Sequence, residues 1–270
     1  MSAVIDTGSN AFRQLDHDEL PGPAQLFDMS GKVVLVTGGS RGMGRAMSLA
    51  FAEAGADVII ASRKIEACEE VAAIVRAKGR RALAVSSHVG KWEEIERLVE
   101  VAYEHFGRID VLVNNAGMSP ASPSSAEVPE ALFDKVVDVN FKGPFRLSAL
   151  VARRMAEQGG GSIINISSIS AIRPQPSVSP YAGAKAALNA ASVGIAMEYA
   201  ARGVRVNVVA PGAFATDISR AWSDPEAVRM RSASERVADS REIVTAVLYF
   251  ASDYSGFTTG ANLRVDGGRL

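Results

Sequence analysis

The sequence predicts one α/β domain built on a parallel sheet of six or seven strands that helices cover on both faces. Short runs of β-branched and apolar residues alternate along the chain with longer stretches of helical periodicity. The apolar runs lack in–out alternation, which is typical of strands buried on both faces. No repeat of about 20 to 50 residues is visible, which argues against a solenoid. The fold class predicted is therefore a doubly wound α/β sheet.

The alternation begins at Lys32. KVVLVT is the first predicted strand and GRAMSLAFAEAG the helix after it, and DVIIAS and EACEEVAAIVRAKG form the next pair. ALAVSSHV, EEIERLVEVAYEHFG and DVLVNN continue as strand, helix and strand. In the second half, SIINISS and VRVNVVAPG flank the long helix-like stretch YAGAKAALNAASVGIAMEYAARG. The helix-like EIVTAVLYFAS and a short strand near NLRVDGG complete the pattern.

Residues 1–30 differ from the rest of the chain. They carry five acidic residues against Arg13 alone, and the breaker Pro21-Gly22-Pro23 interrupts them. We interpret them as an N-terminal extension, and residues 31–270 as a single domain.

Composition narrows the class of function. Lys and Arg total 29 against 30 Asp and Glu, so a net charge of −1 offers no general attraction for nucleic acid or an anionic membrane. The expected partner is a small molecule. The single Cys68 and three scattered histidines favour a reducing compartment and a mechanism without metal. No apolar run reaches the roughly 18 residues of a membrane span, and a signal pattern is missing, so a cytoplasmic location is expected.

A glycine-rich turn, TGGSRGMG, lies where the first strand meets the first helix. Glycines there permit a tight turn and let backbone N–H groups approach a pyrophosphate at the positive end of the helix. The spacing departs from the common G-x-G-x-x-G pattern, and a turn of this kind alone is also compatible with a simple tight connection. The candidate cofactor residues of the turn are Gly38, Ser40, Arg41, Gly42, Met43 and Gly44.

The end of the second strand bears on the choice of cofactor. An acidic residue at this place bonds a ribose 2′-hydroxyl and repels a 2′-phosphate, but the chain has Arg63 and Lys64. Together with Arg41, these cations predict a clamp on the phosphate of NADP(H). Solvated charges at a helix start are the alternative, although cations are unfavourable there.

Tyr181 and Lys185 stand four residues apart, so on a helix both project from one face. A tyrosine is a poor base at neutral pH until a nearby cation favours its phenolate, since its reference pKa is about 10. Ser168 ends the strand SIINISS at the sheet edge where open α/β folds bind ligands. Asn140, in VVDVNFKGPF, and the segment NNAG that ends the preceding strand add polar groups near the same cleft.

In order along the chain, TGGSRGMG, NNAG, Asn140, a serine 13 residues before YAGAK, Pro211-Gly212 with Thr216, and TTG…VDGG resemble the short-chain dehydrogenase/reductase family. The resemblance covers about residues 31–268 and is to the single-domain type of about 250 residues, similar to members of the 3-oxoacyl-[acyl-carrier-protein] reductase type. It implies a Rossmann-like fold and assembly into tetramers or dimers. The small apolar residues of the YAGAK helix also favour assembly.

The resemblance also implies roles for the candidate residues. Tyr181 would be the general acid in reduction and the base in oxidation, Ser168 would orient the carbonyl oxygen, and Lys185 would lower the pKa of the tyrosine and hold the ribose. Asn140 would anchor a water that connects Lys185 to solvent. The further residues implied in cofactor binding are His88, Val89, Asn115, Ala116, Gly117, Pro211, Gly212, Phe214 and Thr216.

Two segments depart from the family pattern. His88 stands where an aspartate commonly contacts adenine, and the segment Arg236–Ile243 lacks the usual glycine and proline. Residues 216–236 resemble the mobile substrate lid of the family. The expected function is an NADP(H)-dependent oxidoreductase acting between a carbonyl and a secondary alcohol. A 3-oxoacyl thioester reductase is a close alternative, and a non-catalytic NADP(H)-binding sensor is an alternative of another class.

Overall fold

A parallel sheet of seven strands forms the centre of the computed structural model, which describes residues 21–216, 225–229 and 231–269. The strands are β1 (Val33–Thr37), β2 (Asp57–Ser62), β3 (Ala82–Ser86), β4 (Val111–Asn114), β5 (Gly161–Ile166), β6 (Val204–Pro211) and β7 (Asn262–Val265). Their order in the sheet is β3-β2-β1-β4-β5-β6-β7, and every neighbouring pair is parallel. The predicted Rossmann-like architecture is confirmed, with seven strands.

Helices cover both faces of the sheet. They are α1 (Pro23–Leu26), α2 (Gly42–Glu53), α3 (Ile65–Ala77), α4 (Trp92–Phe106), α5 (Glu130–Val137), α6 (Gly143–Glu157), α7 (Ser179–Tyr199), α8 (Pro225–Arg229) and α9 (Val244–Ala251). A π-helical turn, Asp138–Lys142, joins α5 to α6. Short 3₁₀ helices lie at Ser125–Glu127, Ile169–Ala171, Pro176–Val178, Ala200–Arg202, Ser240–Ile243 and Asp253–Ser255.

Strand β1 shows why the apolar runs do not alternate with polar residues. Val34 and Val36 belong to a core cluster that also contains Phe51 of α2. Leu35 belongs to a second cluster on the other face, together with Leu147 of α6. Because all five residues of β1 are buried, each face of the strand contributes to a separate hydrophobic core.

The strand order places a crevice at the carboxyl ends of β1 and β4. Strand β1 lies between β2 and β4, so the chain leaves β1 and β4 toward opposite sides of the sheet. Open α/β sheets bind ligands at this switch point. The glycine-rich turn follows β1 and the NNAG segment begins at the end of β4.

The residues just before β1 pack on the domain. Met29 is fully buried, and its N–H donates to the Ala54 carbonyl at 2.8 Å. The Ser252 hydroxyl donates to the Leu26 carbonyl at 2.5 Å, which ties α1 to the end of α9. Residues 1–20 of the predicted extension, and residues 217–224 and 230 of the predicted lid, lie outside the described residues.

Candidate active site

The glycine-rich turn leaves a backbone cradle between β1 and α2. Gly38 has a φ of +62°, a conformation that favours glycine. A side chain at Gly44 would clash with the Gly38 carbonyl oxygen and would lie 2.6 Å from the Asn115 amide nitrogen. Helix α2 starts at Gly42 without a side-chain cap, so its first N–H groups stay available. The turn therefore fits the pyrophosphate of a dinucleotide.

Thr37 and Asn115 tie the end of β1 to the end of β4. The Thr37 hydroxyl accepts hydrogen bonds from the backbone N–H groups of Asn115 and Ala116, at 3.1 and 3.2 Å. The Asn115 amide donates to the Thr37 and Gly38 carbonyls, at 3.0 and 3.2 Å. Asn115 thus shapes the cradle from the neighbouring strand. Thr37 is part of the TGGSRGMG motif, and its bridging role cannot be recognised from that motif.

Arg63 and Lys64 follow β2 at the same edge and are exposed. Lys64 is the N-terminal capping residue of α3, and the Ser86 hydroxyl donates to the Arg63 carbonyl at 3.2 Å. The hydroxyls of Ser40 and Ser62 lie 2.9 Å apart, which joins the glycine-rich turn to the end of β2. The two exposed cations therefore stand beside the cradle.

His88 and Val89 form an ordered corner after β3. The His88 N–H donates to the Glu94 carboxylate at 2.7 Å, and this bond lowers the pKa of Glu94. The Gly90 N–H donates to Nδ1 of His88 at 3.1 Å, so the imidazole has a set orientation. Val89 is buried, and its carbonyl contacts Gly143 so closely that any side chain there would clash.

Tyr181 and Lys185 lie one turn apart on α7, opposite the end of β5. The Lys185 ammonium donates to the Ile166 carbonyl at 2.8 Å, and only 3% of this lysine is exposed. Burial lowers its pKa to about 7. Burial raises the pKa of Tyr181, and a hydrogen bond with the Ser168 side chain acts in the opposite direction.

Lys185 directs its ammonium at the carbonyl that ends β5. The hydroxyl of Ser168 also accepts the Ser170 N–H at 3.1 Å, which caps the short helix Ile169–Ala171.

Asn140 is fully buried in the π-helical turn. Its amide nitrogen donates to the carbonyls of Met118 and Val136, each at 2.9 Å, and its oxygen accepts the Met118 N–H at 3.2 Å. A side chain at Gly117 would lie 3.0 Å from the Asn140 oxygen and 3.7 Å from the Lys185 nitrogen. The missing side chain at Gly117 thus lets Asn140 and Lys185 approach the loop after β4.

The segment after β6 meets the glycine-rich turn. The backbone of Gly212 abuts Asp266, to which a side chain would come within 2.7 Å, and its N–H donates to the Val265 carbonyl at 2.9 Å. A side chain at Gly42 would lie 3.3 Å from the Thr216 methyl group. Phe214, in contrast, buries its ring in the core, so any contact of this residue with a cofactor must come from its backbone. Pro211 ends β6.

A buried amide network behind the site is absent from the sequence-based predictions. The Asn114 amide donates to the Asn165 oxygen at 2.8 Å and to the Ser148 hydroxyl at 2.9 Å. The Asn165 amide donates to the Ser192 hydroxyl at 2.8 Å, and Ser192 donates to the Leu188 carbonyl at 2.6 Å. The network connects β4, β5, α6 and α7. An asparagine inside each of two apolar strands is the signal that could have revealed it.

A doubly wound sheet, a glycine cradle at its switch point, and a serine, tyrosine and lysine at the adjacent edge define a dinucleotide-binding oxidoreductase. The profile of the short chain dehydrogenase family matches residues 32–227. "Dehydrogenase/reductase SDR family member 4" of Bos taurus is 37% identical, over 92% of this chain and 91% of the relative. "3beta-hydroxysteroid dehydrogenase 1" of Eggerthella lenta is 40% identical, over 89% of this chain and 94% of the relative.

Solved structures agree with this class. A short-chain type dehydrogenase/reductase from Mycobacterium marinum superposes with a TM-score of 0.86 and 33% identity, over 90% of this chain and 97% of that chain. 3-Ketoacyl-(acyl-carrier-protein) reductase from Brucella melitensis, complexed with NADH, gives 0.84 and 30%, over 89% and 99%.

The chain belongs to the short-chain dehydrogenase/reductase family, as the sequence motifs predict. It is thus an oxidoreductase of a family that binds a nicotinamide cofactor and acts on alcohol and carbonyl groups. Within the described ranges, no helix has both the length and the hydropathy to cross a membrane. The same ranges hold no group of three or more metal-binding side chains.

Proposed function

We propose that the protein is an NADP(H)-dependent oxidoreductase that interconverts a carbonyl and a secondary alcohol, with Tyr181 as the general acid and base. The observation that supports it best is the convergence of Tyr181, Ser168 and Lys185 at the carboxyl end of β5, next to the cradle. When bound, the nicotinamide supplies the hydride in reduction and accepts it in oxidation.

The side chains of the site handle the proton and the developing charge. In reduction Tyr181 gives its phenolic proton to the carbonyl oxygen, and Ser168, which stands beside Tyr181, stabilises that oxygen with a hydrogen bond. Lys185 then returns a proton to Tyr181. That proton reaches Lys185 from the side where Asn140 and the loop at Gly117 lie close to it. In oxidation the same groups act in reverse. The high pKa of Tyr181 in the described protein favours the acid role at neutral pH.

The preference for NADP(H) over NAD(H) rests on charge. Arg63 and Lys64 are exposed beside the cradle, where the 2′-phosphate would lie. Arg41 lies in the glycine-rich turn, as the residue directly before α2. A bidentate guanidinium contact with phosphate is among the stronger charged hydrogen bonds. The Brucella melitensis neighbour was solved with NADH, so the preference needs its own measurement.

Assembly and location belong to the same proposal. Helix α7 exposes Val193 and Met197, the latter to 79%, and α5 and α6 expose Phe133 and Phe145. Exposed apolar side chains of this size favour burial against a second copy in a homodimer or homotetramer. We propose that the protein is located in the cytoplasm, binds neither nucleic acid nor membrane, and uses no metal.

Replacing Tyr181 by Phe tests the reaction. The variant should lose at least 100-fold in turnover, roughly the contribution of a general acid, while its affinity for NADPH stays within about twofold. Turnover is followed by NADPH oxidation with a 3-oxoacyl thioester, cyclic ketones, diketones, quinones and aromatic aldehydes. Tyr199→Phe, the same change farther along α7, serves as the matched control. Undiminished turnover by Tyr181→Phe would remove the tyrosine from the mechanism.

Replacing Arg63 by Asp tests the preference for NADP(H) over NAD(H). We expect the ratio of NADPH to NADH affinity to fall by roughly 100-fold, because a charged hydrogen bond is lost and a repulsive charge is added. Arg97→Asp, the same change on the exposed surface of α4, should leave the ratio unchanged. An unchanged ratio in Arg63→Asp would assign the preference to Arg41.

The 3-oxoacyl thioester reductase remains the second candidate, favoured by the fold similarity to the Brucella melitensis reductase. It predicts that the thioester has the highest kcat/KM of the panel. The sensor alternative predicts NADPH binding without turnover of any substrate. A protein without catalysis does not need the hydrogen bond between Ser168 and Tyr181, so this bond argues against the sensor alternative.

A further inference from the structure

Three arginines from separate segments meet at the sheet edge that carries the catalytic groups. Arg173 comes five residues after Ser168 and donates its N–H to the Ile169 carbonyl at 2.8 Å. Arg231 lies two residues beyond the end of α8. Arg269 lies just beyond the end of β7. The three arginines therefore lie at the edge of the sheet that carries Ser168, and we call them the arginine cluster.

Backbone contacts hold two members of the cluster together. Ser232 and Arg269 form an antiparallel bridge, and the Ala233 N–H donates to the Gly268 carbonyl at 3.0 Å. The Arg269 guanidinium also donates to the Arg231 carbonyl at 3.4 Å. The chain at Arg231 is thus fixed to the segment that starts at Asp266, beside Gly212.

The cluster carries positive charge that ion pairs of the described protein do not neutralise. Burial, followed by the charges of Arg231 and Arg173, lowers the pKa of Arg269, and the charge of Asp266 acts in the opposite direction. In residues 21–216, 225–229 and 231–269, none of the three guanidinium groups forms an ion pair with a carboxylate. The nearby Asp266 is already paired with Arg264 at 2.7 Å.

One polar atom of the cluster is unsatisfied. Nε of Arg269 is buried and has no hydrogen-bond partner within the described protein. A buried unpaired donor is costly, and like charges brought together repel. Both costs fall when an anion accepts hydrogen bonds from the cluster, since guanidinium groups bind carboxylate and phosphate well.

We propose that the arginine cluster binds an anionic group on the substrate, so that the enzyme acts on carbonyl compounds that carry a carboxylate or a phosphate. This inference rests on the proposed function and adds the substrate class. The cluster holds the anion and Ser168 with Tyr181 holds the carbonyl oxygen, so a charged and an uncharged ketone differ in binding at one end only. The cluster positions the substrate and takes no part in proton transfer.

Matched pairs of probes test the inference. NADPH-dependent reduction is measured for 4-oxopentanoate against its methyl ester, and for dihydroxyacetone phosphate against dihydroxyacetone. One anion of these pairs should have a kcat/KM roughly ten- to 100-fold above its neutral partner, the range of a charged hydrogen bond. Which pair shows the larger ratio distinguishes carboxylate from phosphate.

Single variants locate the effect. Arg173→Gln, Arg231→Gln and Arg269→Gln should each move the ratio toward one by raising KM for the anion, with the neutral partner unchanged. Arg97→Gln on α4 is the matched control and should keep the ratio. Arg269→Lys, which retains the charge, should recover part of it. A ratio near one in the wild type, or a ratio that survives all three Gln variants, overturns the proposal and leaves the reductase function intact.

A binding measurement keeps the two proposals separable. Calorimetry with 4-oxopentanoate and with inorganic phosphate is performed on NADPH-loaded Tyr181→Phe protein, which should not turn over. We expect binding of at least one of them that weakens about tenfold in Tyr181→Phe with Arg269→Gln. Failure of every probe to be reduced, with such binding present, contradicts the proposed function alone. The absence of binding, or binding insensitive to Arg269, contradicts the anion site.

Discussion

Replacing Lys185 by methionine should stabilise the cofactor-free protein at pH 7, and this advantage should disappear as the pH rises. Lys185 is 3% exposed, and burial lowers its pKa from 10.5 to about 7. The folded protein therefore holds the ammonium against a desolvation cost that the unfolded chain does not carry. A methionine of similar length removes the charge and keeps most of the volume.

The size of the effect follows from the pKa and one hydrogen bond. A fall from 10.5 to about 7 corresponds to roughly 5 kcal/mol of destabilisation near pH 7. The variant loses the bond from Lys185 to the Ile166 carbonyl at 2.8 Å, and leaving that buried acceptor unpaired costs about 1–3 kcal/mol. The net expectation at pH 7 is a variant that is more stable by about 2–4 kcal/mol.

The pH dependence directly tests the sign of the stability difference between Lys185→Met and the wild type. Between about pH 7 and pH 10.5 the unfolded chain binds more protons at this lysine than the folded protein does. Wild-type stability therefore rises with pH relative to the variant, by roughly 1.4 kcal/mol per pH unit. Between pH 7 and pH 9.5 the advantage of Lys185→Met should shrink by about 3 kcal/mol.

Urea unfolding at several pH values between 7 and 9.5 measures this difference, without dependence on activity. Lys91→Met, a change at an exposed lysine, should run parallel to the wild type. Stability curves of wild type and Lys185→Met that stay parallel over the whole range would refute the reasoning. A variant less stable than wild type at pH 7 would show that the lost hydrogen bond outweighs desolvation.

Two further perturbations test the cradle and the network behind the site. Gly44→Ala should weaken NADPH binding by at least tenfold in a fluorescence titration, because the added carbon clashes with the Gly38 carbonyl; wild-type affinity would contradict the cradle geometry. Asn165→Ala should lower the free energy of unfolding by about 2–4 kcal/mol, since it removes one hydrogen-bond partner from the Asn114 amide and one from the Ser192 hydroxyl. A loss below about 1 kcal/mol would mean that the buried network re-pairs.

Much of the fold could be predicted from the chain alone because its signals are local. A strand buried on both faces needs apolar residues at every position, as in β1, and a tight turn at Gly38 needs glycine. Helix α1 was not among the predicted elements, because four residues are too few to show helical periodicity.

Contacts between distant segments could not be predicted from the sequence. The contacts of Asn114 with Asn165, and of Arg269 with the carbonyl of Arg231, join residues 51 and 38 positions apart. A single sequence shows that each residue is polar and gives no sign of its partner. The sequence also gives no sign that Phe214, which lies in a cofactor-binding motif, buries its ring in the core.

The amino-acid sequence by itself determined the doubly wound sheet, the family and the set of candidate catalytic residues, because these depend on periodicity and on spacing within one segment. The tertiary structure alone decided the pKa values of the site residues and the clustering of charged side chains. The pKa of Lys185 depends on its burial in the folded protein, and the arginine cluster forms because the segments that carry Arg173, Arg231 and Arg269 come together. Burial and convergence of charge are properties of packing, and packing joins residues that the sequence keeps apart.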